Sequence, residues 1–374
     1  MSMQYRPFGK TGKMVSALGF GCMRLPTLDG PSGAQIDEEE AIRMIRHAID
    51  EGLNYVDTAF MYHGGNSEGL VGKALRDGYR DKTWLATKSP FGGFRKPEDF
   101  DEHLSIQLER LQQDYVDFYM LHAACLQSWK EVALPFKLLD KLEKARADGK
   151  IRHIGFSFHD DYNAFQTIVD GYDGWDFCQI QLNYLDVENQ AGIRGLEYAA
   201  DKGLAVIIME PLLGGKLANP PENVRRVLPP DKSPVELALD FLWNRPEVSL
   251  ILSGMSTMQQ VDDNLAYASR CAAGMLSESD LKVYTEAKKV FDTMARVPCT
   301  RCTYCMPCPF GVDIPGVFEA YNKSVLDMDG AKSLYAGLDG HADLCRACHK
   351  CERICPQHIA VSERMPEIQA FFAD

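Results

Sequence analysis

Between Val15 and Gly254 the chain alternates eight short apolar runs, several rich in β-branched residues, with stretches whose apolar positions recur at helical spacing. The runs cover residues 15–23, 54–59, 83–88, 115–122, 153–158, 178–183, 205–210 and 249–254. Strands separated by helices cross over and pair in parallel, so this alternation predicts a parallel sheet covered by helices. Eight such units in about 270 residues fit a (β/α)8 TIM barrel. An open doubly wound sheet is disfavoured, because no Gly-x-Gly-x-x-Gly turn follows any run.

Local signals agree with that architecture. Asp37 before Glu38, Glu39 and Glu40 reads as an N-cap and acidic first turn, opening a helix with Ile42, Ile45 and Ile49 on one face and Gly52 at its end. Phe100, Leu104, Leu108 and Leu111 form a second such stripe. Ahead of the first run, residues 4–7 and 13–16 flank Gly9-Lys-Thr-Gly12, the pattern of a hairpin lying across the barrel floor. Beyond the eighth run, Ser277 and Asp280 resemble a capping box for a helix carrying Leu281, Tyr284, Ala287, Phe291 and Met294 as far as Pro298. The expected organisation is a barrel over residues 1–275, a connecting helix over 276–297, and an α-rich C-terminal domain over 298–374.

A net charge of −13 argues against a protein that tracks nucleic-acid phosphates. No run approaches the roughly 20 apolar residues of a membrane helix, and the start lacks an apolar leader core, so a cytoplasmic protein with no membrane or nucleic-acid partner is expected.

Twelve cysteines are unevenly placed. Cys22, Cys125, Cys178 and Cys271 are isolated and read as small buried apolar side chains. The other eight form two blocks, Cys299-x-x-Cys302-x-x-Cys305-x-x-Cys308-Pro309 and Cys345-x-x-Cys348-x-x-Cys351-x-x-x-Cys355-Pro356. The second block has the spacing of bacterial ferredoxins and the first is one residue shorter, so eight thiolates suit two 4Fe-4S clusters. Paired zinc knuckles would be separated by a longer loop, and a thioredoxin-like dithiol would not repeat directly. Resemblance to two-cluster ferredoxins implies that Cys299, Cys302 and Cys305 share a cluster with Cys355, and Cys345, Cys348 and Cys351 with Cys308. So compact a segment is expected to have little core of its own and to depend on its clusters for folding.

In a barrel, chemistry is carried at the carboxyl ends of the strands. Those ends supply Asp57, Tyr62 in the loop beyond, Lys88 and His122. A buried lysine beside a phenol favours the phenolate and lowers its pKa, and an aspartate keeps that lysine charged, so Tyr62 is expected to work as an acid near neutral pH. His122 adds a donor for an oxygen that gains negative charge.

Asp57-Thr-Ala-x-x-Tyr62 with Ser67-Glu68, Ala86-Thr-Lys88 and Leu121-His122 resembles the aldo-keto reductase family, over roughly residues 3–270. The resemblance implies carbonyl reduction by NADP(H) or NAD(H), with Asp57, Tyr62, Lys88 and His122 as the catalytic tetrad and Tyr62 as general acid. It places Ser157 and Gln181 at the nicotinamide carboxamide and Met209 where an aromatic residue usually covers the ring. Leu212, Gly214 and Lys216 fall in the next cofactor segment, and Gly254, Gln260 and Asn264 at the adenine end. Phe158 stands where an asparagine is usual, and no Lys or Arg occurs between Pro246 and Ser269 to meet a 2′-phosphate.

The combined expectation is an oxidoreductase acting on a small carbonyl compound, with candidate walls at Phe60, Met61, Trp129, Phe158 and Tyr184 and with clusters wired to the site or to a ferredoxin or flavodoxin. The alternatives are an electron-transfer or redox-sensing protein with a retired barrel, and a flavin-linked reductase that uses the clusters as a wire.

Overall fold

The computed structural model describes residues 2–28, 35–292, 294–325 and 328–373. The chain divides into two compact units, one formed by Met1–Pro211 and Val235–Ser277, the other by Leu212–Pro234 and Glu278–Asp374.

The first unit is a closed parallel barrel preceded by a hairpin. Strands β1 (Tyr5–Pro7) and β2 (Met14–Ser16) pair antiparallel. The barrel then runs β3 (Leu18–Gly21), β4 (Tyr55–Asp57), β5 (Trp84–Ser89), β6 (Val116–Ala124), β7 (Ile151–Phe158), β8 (Phe177–Gln181), β9 (Ala205–Met209) and β10 (Val248–Gly254), which closes onto β3. The first predicted run therefore splits at Ala17 between the hairpin and the barrel.

Successive side chains of a strand face opposite ways, so every second residue points into the barrel. Tyr55, Ala86, Phe118, Met120, Phe177, Ala205, Ile207, Leu250 and Leu252 build the interior core, and the hairpin seals its floor with Phe8 and Val15. The Phe8 ring sits 4.5 Å from Phe118 and 5.4 Å from Phe177. Gly19 of β3 makes room for this core: a Cβ there would lie 2.8 Å from both Leu250 and Leu252 side chains. Continuing the same inward parity brings Asp57, Lys88, His122, Gln181 and Met209 to the carboxyl end.

Outside the barrel, Asp37 caps the helix Glu38–Asp50 by accepting from the Glu40 amide. Its buried face is Ala41, Met44, Ile45, Ala48 and Ile49, with Ile42 at the margin. In the helix Asp99–Leu111 the buried set is Phe100, Leu104, Gln107 and Leu111. A polar Gln107 thus occupies the inner face beside Leu108.

The second unit has a larger core of its own than the expected little one. Val312, Ile314, Val317, Phe318, Ala320 and Tyr321 pack with Ile359, Val361, Met365 and Ile368, and six of the eight clustered cysteines, Cys299, Cys305, Cys308, Cys345, Cys351 and Cys355, lie against this layer. The amphipathic helices Ile314–Lys323 and Val361–Ala373 supply it. The helix Glu278–Asp292 belongs to this unit and packs on the short helix Glu222–Arg225.

Candidate functional sites

At the carboxyl end of the barrel, Lys88 is fully buried and donates to the Asp57 carboxylate and, at 2.9 Å, to the Thr58 carbonyl. Its ammonium lies 4.9 Å from the Tyr62 ring centroid. His122 meets the Tyr62 ring edge-on at 5.9 Å. The four residues that the sequence singled out therefore converge on one point.

Charge states follow from burial. Burial pushes the Lys88 ammonium down, but Asp57 and Tyr62 outweigh it and leave its pKa raised, so it stays cationic. Burial likewise raises the Tyr62 phenol, and Lys88 offsets this only in part. Tyr62 is thus held as a protonated phenol, not brought toward neutrality as the sequence implied, because desolvation exceeds the pull of the lysine. His122 is pushed down to about 3, by burial first and then by Lys88 and His159, so it is a neutral imidazole. A neutral phenol, a neutral imidazole and a fixed cation make a donor set suited to an oxygen that becomes anionic.

The loop that carries Tyr62 is braced by residues that periodicity alone did not flag. Thr58 and Ser67 hydroxyls meet at 2.8 Å, and Ser67 donates to the Cys22 carbonyl at 3.0 Å. Buried Glu68 accepts from Thr87 and from Gln107, each at 2.7 Å, and pairs with Arg110 at 3.4 Å. Gln107 also donates to the Lys88 carbonyl at 3.0 Å and accepts from the Tyr119 hydroxyl at 2.7 Å. The only sequence signal for Gln107 is a polar residue on an apolar helix face.

The residues assigned to a dinucleotide are less uniform. Ser157 accepts from the Ala123 amide at 2.8 Å and keeps its own proton to donate. Gln181 is already paired, donating to Asp186 at 3.1 Å and accepting from Gln190 at 3.0 Å. The Met209 thioether takes a 3.5 Å contact from Gln179. Asn264 donates to Ser253 at 3.1 Å, and Gln260 accepts from the Ser256 amide at 2.8 Å beside exposed Gly254. Arg24, from the first strand-to-helix loop, lies against this turn: Ser256 donates to its carbonyl at 2.7 Å, and a Cβ on Gly254 would be 3.2 Å from the Arg24 Cβ. The structure thus brings a cation to a segment that has none in sequence.

Leu212, Gly214 and Lys216 group with the second unit, and Lys216 donates to the Cys299 carbonyl at 2.6 Å, so its ammonium is committed there. Phe158 and Trp129 are not walls of the site. Phe158 has the outward parity of β7 and packs 5.1 Å from Phe165, and Trp129 packs 6.1 Å from Trp175. Among the isolated cysteines, Cys22, Cys178 and Cys271 are buried, whereas partly exposed Cys125 caps a helical turn by accepting from Ser128.

In the second unit, Cys299, Cys302, Cys305 and Cys355 line one cavity, together with Ile314, Phe318 and Ile359. Cys308, Cys345, Cys348 and Cys351 line another, with Val312, Val361 and Met365. Each cavity thus offers four thiols over an apolar floor, which is the donor chemistry of a 4Fe-4S cluster.

Residues 298–360 match the family model described as 4Fe-4S dicluster domain, and residues 17–282 match that of the aldo/keto reductase family. L-Galactose dehydrogenase of Arabidopsis thaliana is 28% identical over 286 residues, covering 71% of this chain and 88% of that protein. Among solved structures, the holo form of aldo-keto reductase AKR11C1 from Bacillus halodurans superposes with a TM-score of 0.63 at 26% identity, over 76% of this chain and 96% of that one. An aldo/keto reductase from Klebsiella pneumoniae, in complex with NADP and acetate, gives 0.59 at 25% identity, over 77% and 95%. The chain belongs to the aldo/keto reductase family and carries a C-terminal 4Fe-4S dicluster domain.

Proposed function

We propose that the barrel reduces the carbonyl group of a small neutral molecule with NADPH or NADH, and that the two cysteine sets hold 4Fe-4S clusters that exchange single electrons with a carrier protein such as a ferredoxin or flavodoxin. The observation that carries the first half is the convergence of Tyr62, Lys88, Asp57 and His122 at the carboxyl end of the barrel.

A bound reduced nicotinamide would supply the hydride. Tyr62 Oη gives its proton to the carbonyl oxygen, and Lys88, kept charged by Asp57, stabilises the phenolate that is left. His122, being neutral, donates a hydrogen bond to the same oxygen. The Ser157 hydroxyl is available to the nicotinamide carboxamide, and Met209 to the ring face. Gln181 joins them only by exchanging its bonds to Asp186 and Gln190. Gly254, Gln260 and Asn264 shape the adenine end, where Arg24 supplies the positive charge for a phosphate.

For the clusters, the four thiols at each cavity would be the iron ligands, in the crossed arrangement given by the two linings. Hydride transfer moves two electrons and needs no cluster, so the two chemistries are separable. The second reading, in which the barrel is retired and the clusters act alone, draws on the prior engagement of the Gln181 amide.

Anaerobic purification followed by iron, sulfide and released-cofactor analysis, with NADPH binding on the same sample, tests the proposal. About eight irons and eight sulfides, no flavin, and saturable NADPH binding are expected. Iron without nucleotide binding would favour the retired barrel, and a released flavin would favour the flavin-linked alternative.

A further inference from the structure

His122 sits at an irregularity in its strand. Strands β6 and β7 keep one register from Val116 opposite Ile151 to Leu121 opposite Phe156, and the pairing resumes at Ala124 opposite Phe158. His122 and Ala123 therefore share a single opposing residue, Ser157. One extra residue on one strand is a β-bulge, which re-aims a side chain and leaves a backbone amide out of the ladder.

The amide left over belongs to Ala123, and its acceptor is a side chain, the Ser157 hydroxyl, at 2.8 Å. Backbone pairing is restored one residue on, where His159 donates to the Ala124 carbonyl at 3.0 Å. Ala123 has φ 53°, in the left-handed region that a residue with a Cβ occupies only when its surroundings hold it there. Almost wholly buried Ser157 supplies that hold. The peptide it fixes is the one that joins Ala123 to His122, whose ring meets Tyr62 edge-on at 5.9 Å.

We propose that Ser157 is a positioning residue for His122: by accepting from the Ala123 amide, its hydroxyl oxygen fixes the bulge that aims the imidazole at Tyr62. This goes beyond the nicotinamide contact that the sequence context of Ser157 implies. The hydroxyl accepts on one side and keeps its proton for the carboxamide on the other, so one side chain serves both the hydride donor and the group that steadies the carbonyl oxygen. The inference rests on the carbonyl-reduction reading above for its catalytic consequence.

The test uses the full-length holoprotein with isotope-labelled histidine, first without nucleotide, where a carboxamide contact has no part. The His122 imidazole resonance, assigned by its loss in His122→Asn, should move in Ser157→Ala, which removes the acceptor. It should also move in Ala123→Val, whose branched side chain disfavours a positive φ and leaves Ser157 intact. Ala123→Gly keeps the amide and adopts φ 53° without strain, so its resonance should stay at the wild-type position. With NADPH and a carbonyl substrate, Ala123→Val should lower kcat by about 100-fold, the scale of a misplacement by about an ångström, and keep the wild-type Kd for NADPH. A His122 resonance unmoved in both Ser157→Ala and Ala123→Val, with circular dichroism matching the wild type, would overturn the inference. So would an equal displacement in Ala123→Gly. Moved resonances in Ser157→Ala and Ala123→Val, with a wild type that turns over no carbonyl, would uphold the positioning role and count against the reduction reading instead.

Discussion

Lys88 lies 4.9 Å from the Tyr62 ring centroid while its ammonium is fixed by Asp57 and the Thr58 carbonyl. The lysine cannot leave the phenol without abandoning two buried acceptors. The acidity of Tyr62 is therefore set by the scaffold, and what holds that scaffold is open to test.

Gln107 ties the Lys88 carbonyl to Glu68 and Tyr119. Gln107→Ala leaves a buried carboxylate and hydroxyl short of partners, at a cost of about 1–3 kcal/mol. Denaturant unfolding should register that loss. Carbonyl turnover should fall as well, by up to about 100-fold if Lys88 shifts by an ångström. Full turnover in a destabilised Gln107→Ala protein would show that the network supports the fold and not the site.

His122 gives a pH signature. The folded protein holds it at about 3, by burial and then by Lys88 and His159, so it stays neutral where an unfolded chain protonates it, below the ordinary value of 6.5. Between those limits the unfolded state binds more protons, so stability is full above 6.5 and declines as the pH falls through the window. His159, pushed down to about 4 mainly by burial, adds to the same slope. Urea midpoints across the acidic range should fall less steeply for His122→Asn than for the wild type. An unchanged slope would mean that His122 is not desolvated.

Arg24 lies against Gly254 and Ser256, where no other part of residues 246–269 carries positive charge. Arg24→Ala should weaken NADPH binding about tenfold, the scale of one charge-assisted contact, and weaken NADH binding less. Fluorescence titration with both nucleotides decides the matter. Equal effects on the two would place the arginine at the shared pyrophosphate and remove its part in selecting between them.

Iron removal tests the core of the second unit. Chelation should abolish the visible absorption of the clusters and loosen the cysteine loops, yet keep most helical circular dichroism, because Val317, Phe318, Met365 and Ile368 belong to one buried apolar core. Collapse of the helical signal on chelation would mean that the clusters, not these side chains, hold the unit together.

Much of this was legible in the chain. The eight strands follow from the alternation of apolar runs with helical stripes, and inward parity carries Tyr55 to Asp57, Ala86 to Lys88 and Met120 to His122, with Tyr62 in the loop beyond. The cysteine blocks specify their chemistry by spacing alone. What escaped depends on distance in space. Arg24 reaches Gly254 only because β10 closes onto β3, and Lys216 meets Cys299 only because segment 212–234 leaves the barrel unit. Phe158 and Trp129 read as site aromatics until parity and packing turned them outward. The core of the second unit was underestimated because cysteine density masks the two amphipathic helices beside it.

The most direct test of carbonyl reduction in the barrel uses NADPH deuterated at the transferable C4 position, with a panel of small aldehydes and ketones and the anaerobic holoprotein. The account predicts one deuterium on the carbinol carbon of the product, and loss of product formation by about 100-fold or more in Tyr62→Phe with its iron content unchanged. Product that carries only solvent hydrogen at that carbon, formed equally well by Tyr62→Phe, would contradict it.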